Sequence, residues 1–376
     1  MRGAFPNSFY TDPDSDTDPD KTSYHGEQLR YFQYFMRIRT SILLVTLAFM
    51  LLGMIIASVS MGYVQVPLST TFQMLFYKIT GQQELLLQAD PLVYTVIFEV
   101  RLPRVLTAAI VGAGLALAGV IFQGLLLNPL ADPYTLGVSS GAAFGASLVL
   151  LFNLQFLGLY TLPLFAFIAG CLTLLFVVYL SATAGGLSSN NLILSGVIVS
   201  AILSAGISLF KYLAQERVSV IIFWLMGSFA SSTWPELILT SSMVFLGFMV
   251  FMFYSRDINL ICLGSRAAAS LGVDTTKLRI ILLITASLVA AVCVSISGII
   301  GFVGLLVPHM MRSLTGPEHR SLLPVSLLCG AVLLLAADTL TRTMLPAEVP
   351  IGVLTALIGG PFFCYIFRKR QMQFRV

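Results

Sequence analysis

Between Pro133 and Phe210 the chain carries seventy-eight residues without one Asp, Glu, Lys or Arg. In a typical soluble domain about a quarter of the residues are charged. A neutral run of this length belongs in lipid, where no water meets the backbone. There a helix pairs its own N–H and C=O groups within one segment. The run does not alternate polar and apolar residues, which excludes a membrane barrel. Further charge-free runs cover 40–77, 105–131 and 280–311, with shorter ones at 237–255, 321–337 and 349–367. The whole chain is 57% hydrophobic and 10% charged, with mean hydropathy +0.92. Those values exclude a soluble globular enzyme and a disordered protein. The net charge of +4 is too small to point to nucleic acid.

At about twenty residues per crossing, the runs predict ten spans: 41–63, 102–127, 134–152, 162–182, 191–212, 235–254, 276–297, a short one at 303–313, 322–341 and 350–367. Lys and Arg set the orientation. With the N-terminus inside, 15 cations lie inside and 6 outside: Lys78, Arg101, Arg104, Lys211, Arg217 and Arg342. Both termini are therefore expected in the cytoplasm. The fold class is an all-α polytopic membrane protein of the cell (inner) membrane. Residues 1–40 read as a disordered acidic tail, because Thr11 opens TDPDSDTDPD. Residues 41–368 form the membrane domain, and 369–376 a basic tail.

Much chemistry is missing. The five cysteines are scattered, no HExxH pair exists, and no Gly-rich loop ends in Lys as a phosphate-binding loop must. No metal, cofactor or catalytic residue is predicted, so any ATP-driven work needs a separate ATPase chain. A faint repeat is visible: Gly119-Val-Ile-Phe-Gln-Gly-Leu-Leu-Leu-Asn-Pro129 echoes Gly298-Ile-Ile-Gly-Phe-Val-Gly-Leu-Leu-Val-Pro308. The two copies start five spans apart, so spans 2–5 and 7–10 would be inverted repeats, a transporter architecture.

Several ordered segments then carry a resemblance. They are Arg101-Leu-Pro-Arg104, Asn128-Pro-Leu-Ala-Asp-Pro133, Leu136-Gly-Val-Ser-Ser-Gly141, Trp224-Leu-Met-Gly-Ser-Phe229, Arg266-Ala-Ala-Ala-Ser-Leu-Gly272, Gly304-Leu-Leu-Val-Pro-His309 and Val349-Pro-Ile-Gly352. Together the chain resembles the FecCD/BtuCD-type permeases, membrane subunits of ABC importers for iron-siderophores, haem and cobalamin. The resemblance implies ten helices, a homodimer or paralogue heterodimer, two ABC ATPase subunits and an external binding protein. By resemblance, Arg101, Arg104 and Arg342 dock that binding protein through its glutamates. Asp338, four residues before Arg342, is also placed to pair with it on one helix face. Asn128, Leu130, Ser189 and Asn190 match cytoplasmic gates, with Asp132 as a helix N-cap nearby. The segment near 264–272, with Ser265, Arg266, Ala267, Ala268, Ala269, Leu271 and Gly272, matches the coupling helix that fits the ATPase. Leu263 joins Leu271 as an anchor. Ser195, Gly196, Ser200, Ser204, Gly206 and Ser208 are expected to line the passage. The implied cargo is an iron chelate, siderophore or haem, with cobalamin next and molybdate a distant third. An ion-coupled secondary transporter fits poorly, since it needs carboxylates at membrane depth.

Overall fold

The computed structural model describes residues 19–62, 64–82, 84–85, 90–183, 186–343 and 348–373. Helix α1 is Pro19–Ser60. The helix holding the first span thus begins well before residue 41, and the described part of the expected tail, from Pro19 onward, is helical. The rest of that tail, 1–18, lies outside the described residues. Helix α2, Leu68–Thr80, was not expected. It ends at Gly81, whose left-handed φ of 72° lets its N–H return to Tyr77 O.

Helix α3, Pro91–Leu125, is the axis of the molecule. Asp90 caps it by accepting the N–H of Leu92 at 2.9 Å. A π-helical turn, Val96–Arg101, interrupts it before Leu102. From Val105 to Leu125 nearly every side chain is buried. The sequence permits this because the helix is rich in Gly and Ala, so neighbouring backbones approach closely. A Cβ on Gly112 would lie 2.2 Å from Gly330 O, and one on Gly119 would lie 2.0 Å from Gly304 O.

The chain continues through α4, Val138–Phe152, and α5, Thr161–Ser181. A two-residue antiparallel pair, β1 (Ala182–Thr183) and β2 (Gly186–Leu187), then leads into α6, Ser189–Leu213. Next come α7, Val218–Leu225, and α8, Trp234–Phe253. Thr233 and Glu236 form a capping box at the head of α8. Two short helices follow: α9, Ser255–Cys262, and α10, Ser265–Ser270. The last four are α11 (Thr275–Ser297), α12 (Val303–Thr315), α13 (His319–Thr343) and α14 (Ile351–Gln373).

Among the described residues, seven helices are long and apolar enough to cross a membrane, and Val138–Phe152 and Ile351–Tyr365 are shorter apolar helices. Each of the ten predicted segments falls on a helix. α13 packs against α3 and α1; α4 and α5 pair, and α11 packs against α3 and α5. The two copies of the sequence repeat meet in space. Gly119 abuts Gly304, and Gln123 Nε2 donates to Gly304 O at 3.4 Å and Leu305 O at 3.2 Å.

Candidate functional site

Two ends of α3 concentrate the polar groups. At the Arg101 end, Arg104, Arg342 and Asp338 form one ion-pair network. Asp338 sits on α13 with its side chain 1% exposed. Arg104 reaches it at 3.0 Å, and Arg342 Nε lies 3.3 Å from its other oxygen. Arg104 also pairs with Glu348 at 3.0 Å. Arg342 donates to the carbonyls of Ser58 at 2.7 Å and Met61 at 3.0 Å. Arg101 is buried and donates to the carbonyls of Val59 and Ser60 at 2.9 Å, and to that of Val64. Two arginines from other helices therefore cap the last carbonyls of α1, which a helix end leaves without internal partners. The expected Arg342–Asp338 pairing is present. The Arg104–Asp338 and Arg104–Glu348 pairs were not foreseen, because they join positions more than 230 residues apart.

At the other end, Asn128 folds its side chain back to accept the N–H of Leu130 at 3.0 Å. Leu127 just before it adopts a left-handed φ of 50°. Leu130 is exposed. Asp132 caps the short turn Pro133–Leu136, accepting from Tyr134 N at 3.1 Å and Thr135 N at 2.9 Å. Burial pushes the Asp132 carboxyl up to about 6, although its two main-chain bonds favour the charged form. Ser189 and Asn190 begin α6 and are half-buried and exposed. The residue that caps this helix is Ser188, whose hydroxyl accepts the N–H of Asn191 at 3.2 Å.

A polar cluster joins the same end to the short helices, and sequence reasoning missed it. Arg312 donates to Gln123 Oε1 at 2.9 Å. The carboxamide oxygen of Asn259 accepts the His319 main-chain N–H at 3.0 Å and lies 2.6 Å from His319 Nδ1. Cys262 Sγ lies 3.7 Å from Gly124 O. Ile258 and Ile261 are fully buried, so α9 is seated by apolar packing. Its charge pattern alone gave no sign of these partners.

Helix α10 lies between two left-handed glycines, Gly264 at φ 112° and Gly272 at φ 87°. Arg266, Ala267, Ala269 and Leu271 are exposed, as is Leu263. Ala268 faces inward at 0% exposure, and its carbonyl accepts the Val273 N–H at 3.1 Å. Ser265 Oγ accepts from Arg279 at 3.0 Å.

On α6 the small residues divide. Gly196 packs on the turn of Pro133–Leu136, where a Cβ would stand 2.1 Å from Thr135 O. Ser200 packs near Gly137, and Gly206 faces the Phe144 ring. Ser195 is half-buried. Ser204 and Ser208 are exposed on one face, and the Ser208 hydroxyl bonds Ser204 O at 2.9 Å.

Comparison with known proteins now decides the family. The sequence matches the FecCD transport family over residues 50–369. The chain belongs to that family. This FecCD permease is 42% identical to the molybdate import system permease MolB of Haemophilus influenzae, over 85% of the chain and 94% of the relative. It is 36% identical to the hemin transport system permease HmuU of Yersinia pestis, over 90% of the chain and 98% of the relative. A solved structure of a metal-chelate type ABC transporter in an inward-facing conformation is 38% identical. It covers 87% of this chain and 98% of its own, with a TM-score of 0.75. The FecCD permease is thus a multi-pass protein of the inner membrane and an ABC importer permease. Its family works with separate ATPase subunits and substrate-binding proteins.

Proposed function

We propose that this FecCD permease carries an iron chelate, siderophore or haem, into the cytoplasm. The observation that carries this reading is the family match over residues 50–369, together with the uncharged run that contains α4, α5 and all of α6 up to Phe210. A passage without fixed charge does not grip a bulky chelate. The chain forms ten spans with both termini inside, and a second copy completes the passage. ATP is hydrolysed on two partner subunits, which grip the exposed face of α10: Arg266, Ala267, Ala269 and Leu271, with Ser265 and Gly272 fixing its ends. Ala268 supports α10 from within.

The Arg101 end faces outward. Arg104 meets a carboxylate of the external binding protein, and Arg101 and Arg342 hold the end of α1 in place for that contact. Asn128 and Leu130 form one inner gate and Ser189 and Asn190 the other. Ser195, Ser204 and Ser208 face the passage, while Gly196 and Ser200 set the spacing of α6 against the gate turn.

Reconstitution of the permease with its copurifying ATPase and its binding protein in proteoliposomes tests the cargo. Labelled ferric hydroxamate, haemin, cyanocobalamin and molybdate are offered separately. ATP-dependent uptake of an iron chelate is the expected result. Uptake of cyanocobalamin or molybdate alone would overturn the assignment, and uptake without the ATPase would overturn the transport class.

A further inference from the structure

Arg104 carries two carboxylates of different character. The edge formed by Nε and Nη2 is filled by Asp338, at 3.0–3.3 Å. That carboxylate is buried, belongs to α13 and is shared with Arg342. The remaining nitrogen, Nη1, holds Glu348 at 3.0 and 3.2 Å. Glu348 is 53% exposed. The inner partner is fixed, since removing it would strand buried charge. The outer partner is held by a solvent-screened pair that shifts an equilibrium by only roughly two- to fivefold.

We propose that Glu348 is an exchangeable counter-ion, displaced from Arg104 by an acidic side chain of the external binding protein when that protein docks. This rests on the reading that Arg104 takes part in docking. Nη1 is the guanidinium nitrogen that does not bind Asp338, and Glu348 occupies it. A second carboxylate added there without exchange would face Glu348 as a like charge. Space for the exchange exists: a cavity of about 140 Å³ beside the pair is lined by Arg104, Phe229, Asp338, Glu348 and Pro350. The backbone just beyond Glu348 is anchored, with Ile351 N–H bonded to Gly227 O at 3.2 Å and Gly352 N–H to Met226 O at 2.9 Å. Glu348 therefore leaves without travelling far and returns when the partner dissociates. Docking becomes a swap of one ion pair for another, which keeps the complex readily reversible.

The test uses the complete transporter in lipid nanodiscs and measures the Kd of its binding protein on Glu348→Gln, Glu348→Asp and Arg104→Gln, each checked for an intact melt. Glu348→Gln is expected to bind roughly two- to fivefold more tightly, Glu348→Asp like the parent, and Arg104→Gln more weakly. If Arg104→Gln binds more weakly while Glu348→Gln is unchanged or weaker, exchange is overturned and the docking role of Arg104 stands. If Arg104→Gln binds like the parent, the docking reading itself fails, and exchange fails with it.

Discussion

Asn259 holds the head of α13 through His319, taking the main-chain N–H at 3.0 Å and the ring nitrogen Nδ1 at 2.6 Å with one oxygen. An oxygen that accepts from both requires the proton on Nδ1. Nε2 then faces Gly124, where a Cβ would approach it to 2.9 Å. One carboxamide thus joins α9, α13 and the inner end of α3.

Replacing Asn259 by Ala leaves two buried donors unpaired. We expect a loss of about 1–3 kcal/mol, read as a lower Tm of the detergent-solubilised complex. Because α9 leads directly into α10, the same variant should hydrolyse more ATP per cargo molecule moved. A parent-like ratio would show that the bond is only structural.

Asp338 neutralises two guanidinium groups. Asp338→Asn keeps its shape but removes the charge, leaving Arg104 and Arg342 facing each other in a buried place. The expected cost is about 3–5 kcal/mol, visible as poor membrane yield or a strongly lowered Tm. A Tm within a degree or so of the parent would refute the network's importance.

Gly119→Ala places a methyl group 2.0 Å from Gly304 O. Overpacking of this kind costs about 1–3 kcal/mol or more, because backbone cannot rotate aside as a side chain can. Gly53→Ala meets nothing within 4 Å and lies in the body of α1. It should be neutral or stabilising by up to about 1 kcal/mol. Thermal melts of the two variants, side by side, separate close packing from simple loss of glycine.

Asp132 gives a pH dependence with a definite sign. Its folded carboxyl is raised to about 6 from 3.8, so the folded chain holds that proton more tightly than the unfolded chain. The contribution to stability is complete below about pH 4 and is lost as the pH rises through about 6. Asp132→Asn retains an oxygen for the Tyr134 and Thr135 N–H groups. It should match the parent near pH 4 and exceed it near pH 7, by at most about 2–3 kcal/mol. Melts across that range check the crossover.

The two faces of α10 should behave differently. Ala269→Glu alters the exposed face and should leave the permease folded while lowering ATPase recruitment in pull-downs. Ala268→Glu would bury a charge at a position with 0% exposure and should reduce folded yield instead. Equal recruitment by Ala269→Glu and the parent would count against the α10 interface.

Much of the helical layout was legible because absence of charge is a long-range signal that local detail cannot disguise. α2 escaped because Gln73 and Lys78 break its apolar run, and thirteen residues cannot cross a bilayer. The early start of α1 escaped because its polar first turns do not resemble a span. Arg101 and Arg104 were legible as a motif, but their partners were not. Nothing near Arg104 in sequence points to Asp338 or Glu348, which the fold brings to it. The inward turn of Ala268 was likewise hidden, since three consecutive alanines carry no periodicity. Asp132 as a cap was readable because an Asp before Pro at a helix start accomplishes that with local bonds alone.

Where α3 meets α12 and α13, main chain touches main chain at Gly119–Gly304 and Gly112–Gly330. Such contacts contain no rotamers to switch and nothing soft to compress. The three helices are therefore expected to move together in any rearrangement of the fold. Rearrangement is then left to the segments that are seated by side chains, and the slow step of the cycle should respond to substitutions on α6 and α9 far more than to any tolerated change along the central axis.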